Sequence, residues 1–262
     1  MASEEVKKLV MGLRPIDDDF MKVIFQDNTP LVEYVLRVIL GKDDLTVRSS
    51  ETQKDSMHFV SRQLIFDIFA TDSLGQNYNI EVQRADSGAS PKRARYHSAA
   101  LDINTVPAGA DLNNVAESYV IFITENDVLK GNKATYHIER VVSEMNEPFG
   151  DGAHIIYVNG AYQDVESAIG KLIHDFSCRS AEDMLCQPIA EVIEKYKNTY
   201  ECVDVCKAVE EYGMKQRNEG VREGIAKSIM RVIKQGKLSY YEIAEGFDVS
   251  IDEVRKLAAQ MN

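Results

Sequence analysis

Asp67 interrupts an apolar run, Ile65-Phe66-Asp67-Ile68-Phe69. Such a run belongs in a buried or nearly buried strand, where an unpaired carboxylate costs several kcal/mol unless something charged meets it. Further on, Asn79-Ile80-Glu81-Val82-Gln83 alternates in polarity, so strand geometry sets Asn79, Glu81 and Gln83 on one face and Ile80 and Val82 on the other. Between the two segments lies the turn-rich Asp72-Ser73-Leu74-Gly75-Gln76, which predicts a hairpin of Leu64–Thr71 with Asn77–Gln83. An antiparallel register that places Asp67 opposite Glu81 or Gln83 gathers the three side chains. Two carboxylates beside an amide in a partly dry setting repel unless a cation bridges them, and oxygen ligands suit Mg²⁺ or Mn²⁺. Such an ion lowers the pKa of a bound water and polarises a phosphoryl oxygen, which is the chemistry of phosphodiester hydrolysis. Polar alternation is also the ordinary outer face of a half-buried sheet. The apolar flanks of Asp67 favour the metal reading over that one.

The elements that must position these residues are partly readable. Asp17–Leu40 predicts two helices, the second restarted at Asn28-Thr29-Pro30 and closed by Gly41. Leu45–Arg48 and His58–Gln63 are weaker strand candidates. Pro91 opens a helix to about Asn104 that carries Lys92, Arg93 and Arg95 in its first turns. Ser118–Thr124 and His154–Val158 are continuous apolar runs of the kind buried on both faces. From Asp164 the pattern turns helical, and we divide the chain into residues 1–199 and a helical tail, 200–262. In the tail Val221, Ile225, Ile229 and Val232 form one apolar stripe that must pack on something, a second copy of the chain being one option. Leu238–Gln260 reads as helix, tight turn, helix, with Ile243, Ala244, Val249, Val254 and Leu257 as its core and Ser250 as a cap.

The chain has 262 residues and a formal charge of −12, so it offers nucleic acid no broad attraction and any DNA contact must be local. The first residues lack a secretion signal and no apolar run reaches membrane-spanning length, which leads us to expect a cytoplasmic protein without a membrane partner. Cys178, Cys186, Cys202 and Cys206 are then expected to be reduced. His174 with Cys178, and Cys202 with Cys206, stand one helical turn apart, but the spacing matches no compact zinc module and ordinary helix cysteines are the simpler reading. His97, His137, His154 and His174 have no evident Ser or Cys nucleophile, and no glycine-rich phosphate loop is present.

The blocks Asp18–Phe25 (DDFMKVIF), Leu64–Asp67 (LIFD), Tyr78–Arg84 (YNIEVQR), Arg93–Ser98 (RARYHS), Tyr119–Asp127 (YVIFITEND), Tyr136–Arg140 (YHIER) and Ile155–Gly160 (IIYVNG) resemble, in order, the PD-(D/E)XK nuclease family transposases, also called recombination-promoting nucleases. The resemblance implies an α/β, restriction-endonuclease-like core, a mixed central sheet flanked by helices, followed here by the helical tail. It implies that Asp67 and Glu81 bind the divalent metal, with Gln83 where the wider superfamily holds a lysine. Glutamine can donate and accept hydrogen bonds but supplies no cation. Asp18 matches an acidic position of the family and is a candidate further acid, although helix capping explains it as well. Arg93 and Arg95, on a helix start, are candidate contacts for a DNA phosphate, against the reading of a solvated first turn.

The expected function is therefore a Mg²⁺- or Mn²⁺-dependent DNA endonuclease with Asp67, Glu81 and Gln83 as catalytic residues. A homodimer through the C-terminal helices would supply two active sites. The alternative is a catalytically silent scaffold of the same fold that binds DNA or a protein through its tail. The final helix pair mixes Asp252 and Glu253 with Arg255 and Lys256, which gives little net pull toward DNA.

Overall fold

A computed structural model describes residues 4–55, 64–198, 224–226, 228–236 and 238–259. The chain divides into two compact units, Met1–Ala208 and Val209–Asn262. The strand expected at His58–Gln63, Cys202, Cys206, Val221 and the 199/200 division lie outside the described residues.

In the first unit, helix α1 (Glu4–Gly12) leads into α2 (Asp18–Phe25) and α3 (Thr29–Leu40). The Asn28 side chain accepts the Leu31 N–H, Pro30 sits in the first turn, and Gly41 ends α3 at φ +63°, a left-handed conformation that glycine adopts without steric cost. Strands β1 (Val47–Asp55), β2 (Ile65–Asp72) and β3 (Asn77–Gln83) follow, then α4 (Pro91–Thr105) and β4 (Ser118–Thr124). After β5 (Thr135–Ile138), the short strands β6 (Val141–Val142) and β7 (Glu147–Pro148) pair with each other. The unit ends with β8 (Ala153–Asn159), α5 (Ala168–Ser177) and α6 (Gln187–Asn198).

One six-stranded sheet, in the order β1-β2-β3-β4-β8-β5, forms the centre. Strands β1, β2 and β3 run antiparallel, β3, β4 and β8 parallel, and β5 antiparallel to β8. All seven residues of β4 are buried, as its unbroken apolar run requires. Helix α4 packs on β3, β4 and β8, and α3 packs on β1. This is the α/β architecture expected from the sequence. Three strands differ in extent: the first runs Val47–Asp55 rather than Leu45–Arg48, β2 Ile65–Asp72 rather than Leu64–Thr71, and β8 Ala153–Asn159 rather than His154–Val158. Asp72 is buried and builds the hairpin loop itself, its carboxylate accepting from the Leu74 and Gln76 N–H groups and from the Tyr78 hydroxyl.

The second unit is helical. Helix α7 (residues 228–235, with 224–226 also helical) is followed by α8 (Tyr240–Phe247) and α9 (Ile251–Ala259). Ser239 and Glu242 cap α8 reciprocally, Asp248 makes the tight turn at φ +52°, and Ser250 Oγ accepts the Glu253 N–H of α9. Buried Ile229, Ile243, Ala244 and Val254 form a core, with Ile225, Val232, Val249 and Leu257 packed against it. Ile225, Ile229 and Val232 of the apolar stripe thus pack on this core.

Candidate active site

The hairpin register brings the two carboxylates together where the β2–β3 ladder ends. Strand pairing runs from Thr71↔Asn77 to Ile68↔Ile80 and stops there. At the next position side chains replace backbone partners: the Asp67 N–H donates to Glu81 Oε1 at 3.3 Å, and the Val82 N–H donates to Asp67 Oδ2 at 3.1 Å. Each carboxylate is thus tied to the other's strand. Glu81 is 1% exposed. Burial first, then the Glu81 charge, holds the Asp67 carboxyl well above the usual carboxylate range, and the Val82 N–H opposes this.

The lone pairs are not used up. Glu81 Oε2 is buried and accepts no hydrogen bond, and Asp67 Oδ1 meets the Gln53 amide only at 3.4 Å. A pair of hard oxygen donors with spare lone pairs, whose charges repel, fits a Mg²⁺- or Mn²⁺-sized cation. Asp18 lies near enough to add to the rise at Asp67, while Lys22, 2.7 Å from Asp18, counters it. The neighbouring Asp19 was not singled out from the sequence. Its Oδ1 is buried without a partner, and burial followed by the Asp18 charge pushes its carboxyl up to about 6.

Gln83 shares the face of β3 with Glu81, yet among the described residues no hydrogen bond joins its amide to either carboxylate. The amide rests instead on the turn Asp86–Ala89: a Cβ placed on Gly88 would lie 1.9 Å from Gln83 Oε1. Gly88 is what lets the side chain lie there.

Helix α4 supplies the other side of the site. Ser90 caps it by accepting the Arg93 N–H, and Pro91 opens it. Arg93 and His97 are one turn apart and both turn inward. Arg93 Nη2 is 3.9 Å from Glu81 Oε2, and its Nε is buried without a partner. Arg95 is exposed and does not converge with the carboxylates. His97 is fully buried, its Nδ1 lying 3.0 Å from Asn79 Nδ2 and 3.3 Å from Glu81 Oε1. Sequence reasoning placed Asn79 on this face but gave His97 no part in it. The i, i+4 spacing of Arg93 and His97 was the signal available.

A salt-bridged cluster borders the strand ends. Arg14 binds Asp17 and Glu125 at 3.0 and 2.8 Å, Arg84 reaches the same two acids at 3.2 Å each, and Arg14 followed by Arg84 holds the Glu125 carboxyl below its usual range. The start of α2, where Asp18 sits, is thereby tied to the ends of β3 and β4. Elsewhere His174, Asp175 and Cys178 lie close together. Both Asp175 oxygens already accept backbone N–H groups, from Leu185 and Cys186, and burial raises the Cys178 thiol to about 11, away from the thiolate a soft metal takes.

A mixed six-stranded sheet flanked by helices, with two acidic side chains meeting on adjacent strands, is the architecture of the PD-(D/E)XK α/β class. The model of the PD-(D/E)XK nuclease family transposases matches residues 26–162, and the chain belongs to that family. The match contains Asp67, Glu81, Gln83, Arg93 and Arg95, while Asp18 lies ahead of it. No curated protein and no solved structure gives a significant match.

Proposed function

We propose that the protein is a metal-dependent DNA endonuclease whose centre is the Asp67–Glu81 pair. The observation that carries this reading is the crossed pairing at the end of the β2–β3 ladder, which holds two carboxyl groups together with oxygen lone pairs still free. Asp67 and Glu81 hold Mg²⁺ or Mn²⁺, with Asp18 as a further acid at the α2 start. The ion supplies Lewis-acid polarisation of a phosphoryl oxygen and lowers the pKa of a bound water. The chain does the rest. Gln83 orients the attacking water through its amide, Arg93 steadies the phosphate beside Glu81, and the exposed Arg95 meets the DNA backbone farther out. The test is supercoiled plasmid incubated with the protein and Mg²⁺ or Mn²⁺, beside Asp67→Ala and an EDTA control. Nicking that disappears in both controls supports the proposal.

A second reading, a catalytically silent scaffold that binds DNA or a protein through its tail, draws support from Gln83, which is neutral and packed on Gly88 rather than bonded to the carboxylates. Plasmid left intact under all conditions favours it. On the first reading the substrate is DNA and the molecule acts in recombination or on mobile elements. Two copies, each cutting one strand, would account for double-strand cleavage.

A further inference from the structure

A cleft of about 390 Å³ opens beside the carboxylate pair, and its described lining includes Ser87, Ser90, Lys92, Arg93, Tyr96 and His97. Its polar side chains are hydroxyls, an ammonium, a guanidinium and an imidazole, and it has no carboxylate of its own among the described residues. It sits at the N-terminal turns of the 15-residue helix α4, where backbone N–H groups and the helix dipole favour an anion. Two buried nitrogens there have no partner: Arg93 Nε and His97 Nε2.

His97 is the informative one. It is 0% exposed, and its ring is held by Phe66 and Phe122, at centroid distances of 6.2 and 5.7 Å. The Asn79 amide nitrogen lies 3.0 Å and Glu81 Oε1 3.3 Å from Nδ1, so Nδ1 is engaged on the strand side and Nε2 is the ring nitrogen left for the cleft. A buried ring nitrogen left without a partner is unfavourable, so such a group in a cleft wall calls for a ligand atom. Arg93 Nε makes the same demand.

We propose that this cleft is a phosphate subsite for a nucleotide chain and that His97 Nε2–H, together with Arg93 and Lys92, contacts the phosphate oxygens. The inference rests on the endonuclease reading, to which it adds two donors, His97 and Lys92, and a location: the phosphate is held on the α4 side of Glu81. Asn79 is then a positioning residue that acts through His97.

The test is ¹⁵N-resolved NMR of the histidine rings of the full chain in EDTA, titrated with thymidine 3′,5′-bisphosphate and, in parallel arms, with inorganic phosphate and with thymidine. The expected result is an Nε2–H tautomer at His97, a shift of that N–H with the bisphosphate, weaker binding of inorganic phosphate, and no shift with thymidine. His97→Phe keeps the aromatic packing and should weaken bisphosphate binding at least fivefold. His97→Gln, whose amide reaches the Nε2 position, should recover most of it. An Nδ1–H tautomer, an unmoved His97 signal, inorganic phosphate bound as tightly as the bisphosphate, or unchanged affinity in His97→Phe would overturn the proposal. The readout on the unsubstituted protein decides the matter even if a variant fails to fold. Because the titration contains no metal and no cleavage step, its failure leaves the plasmid result standing, and an inactive protein leaves the titration standing.

Discussion

At the residue scale, Asp67 carries a cost that its placement explains. Its folded-state carboxyl is held above the ordinary value by burial and then by Glu81, so the folded protein keeps a proton that the unfolded chain has already lost. Stability therefore falls as pH rises from the usual carboxylate pKa toward the raised one. Asp67→Asn keeps an acceptor for the Val82 N–H and removes the repulsion. In EDTA it should raise stability by about 1–2 kcal/mol at pH 7–8 and flatten the decline between pH 5 and pH 8, as read from urea melts. Equal stability at both pH values in both proteins would contradict this. The meeting of Asp67 with Glu81 was legible in the sequence, because the polar interruption of an apolar run and the Glu-x-Gln alternation both survive folding. His97 was not, because a lone histidine on a helix declares nothing until Asn79 and Glu81 are set against it.

At the element scale, the turn Asp86–Ala89 and helix α6 carry separable predictions. A methyl group at Gly88 would force the end of Gln83 to move while leaving the carboxylates alone. Gly88→Ala should then lower the nicking rate about tenfold or more with little change in metal affinity, and an unchanged rate would remove Gln83 from the reaction. Lys197, at the end of α6, is 7% exposed and donates to the carbonyls of Met11, Leu13 and Arg179. Lys197→Met orphans three acceptors and should cost about 3 kcal/mol in denaturant titrations, an effect on stability rather than on chemistry. Strands β3 and β4 were legible to the residue, since alternation and an unbroken apolar run are strong periodic signals. Strand β1 (VRSSETQKD) was not, because an edge strand that is mostly solvated carries no apolar pattern, and its extent is set by pairing with β2.

At the scale of the whole molecule, two features bear on function. Each unit holds its own apolar core. A protein ending at Ala208 should therefore keep a folded circular-dichroism spectrum and metal-dependent nicking, whereas loss of both would make the C-terminal unit part of the nuclease. With a net charge of −12, any attraction to DNA must be local, and on the proposed function Lys92, Arg93 and Arg95 around α4 supply it. The slope of log affinity against log salt should accordingly be about −2 to −3, and a much steeper slope would require a second basic surface. Among the described residues no helix is long and apolar enough to cross a membrane. The mixed character of the sheet was legible only through the family's blocks, because parallel pairing of β3, β4 and β8 joins segments that local periodicity cannot connect.

The proposal that Asp67 and Glu81 together form a divalent-cation site is tested by Mn²⁺ binding, followed by electron paramagnetic resonance in the unsubstituted protein, Asp67→Asn and Glu81→Gln. Binding should be saturable and weaken by at least tenfold in each variant while the fold persists, whereas Mn²⁺ affinity unchanged by either substitution would contradict a carboxylate-held cation.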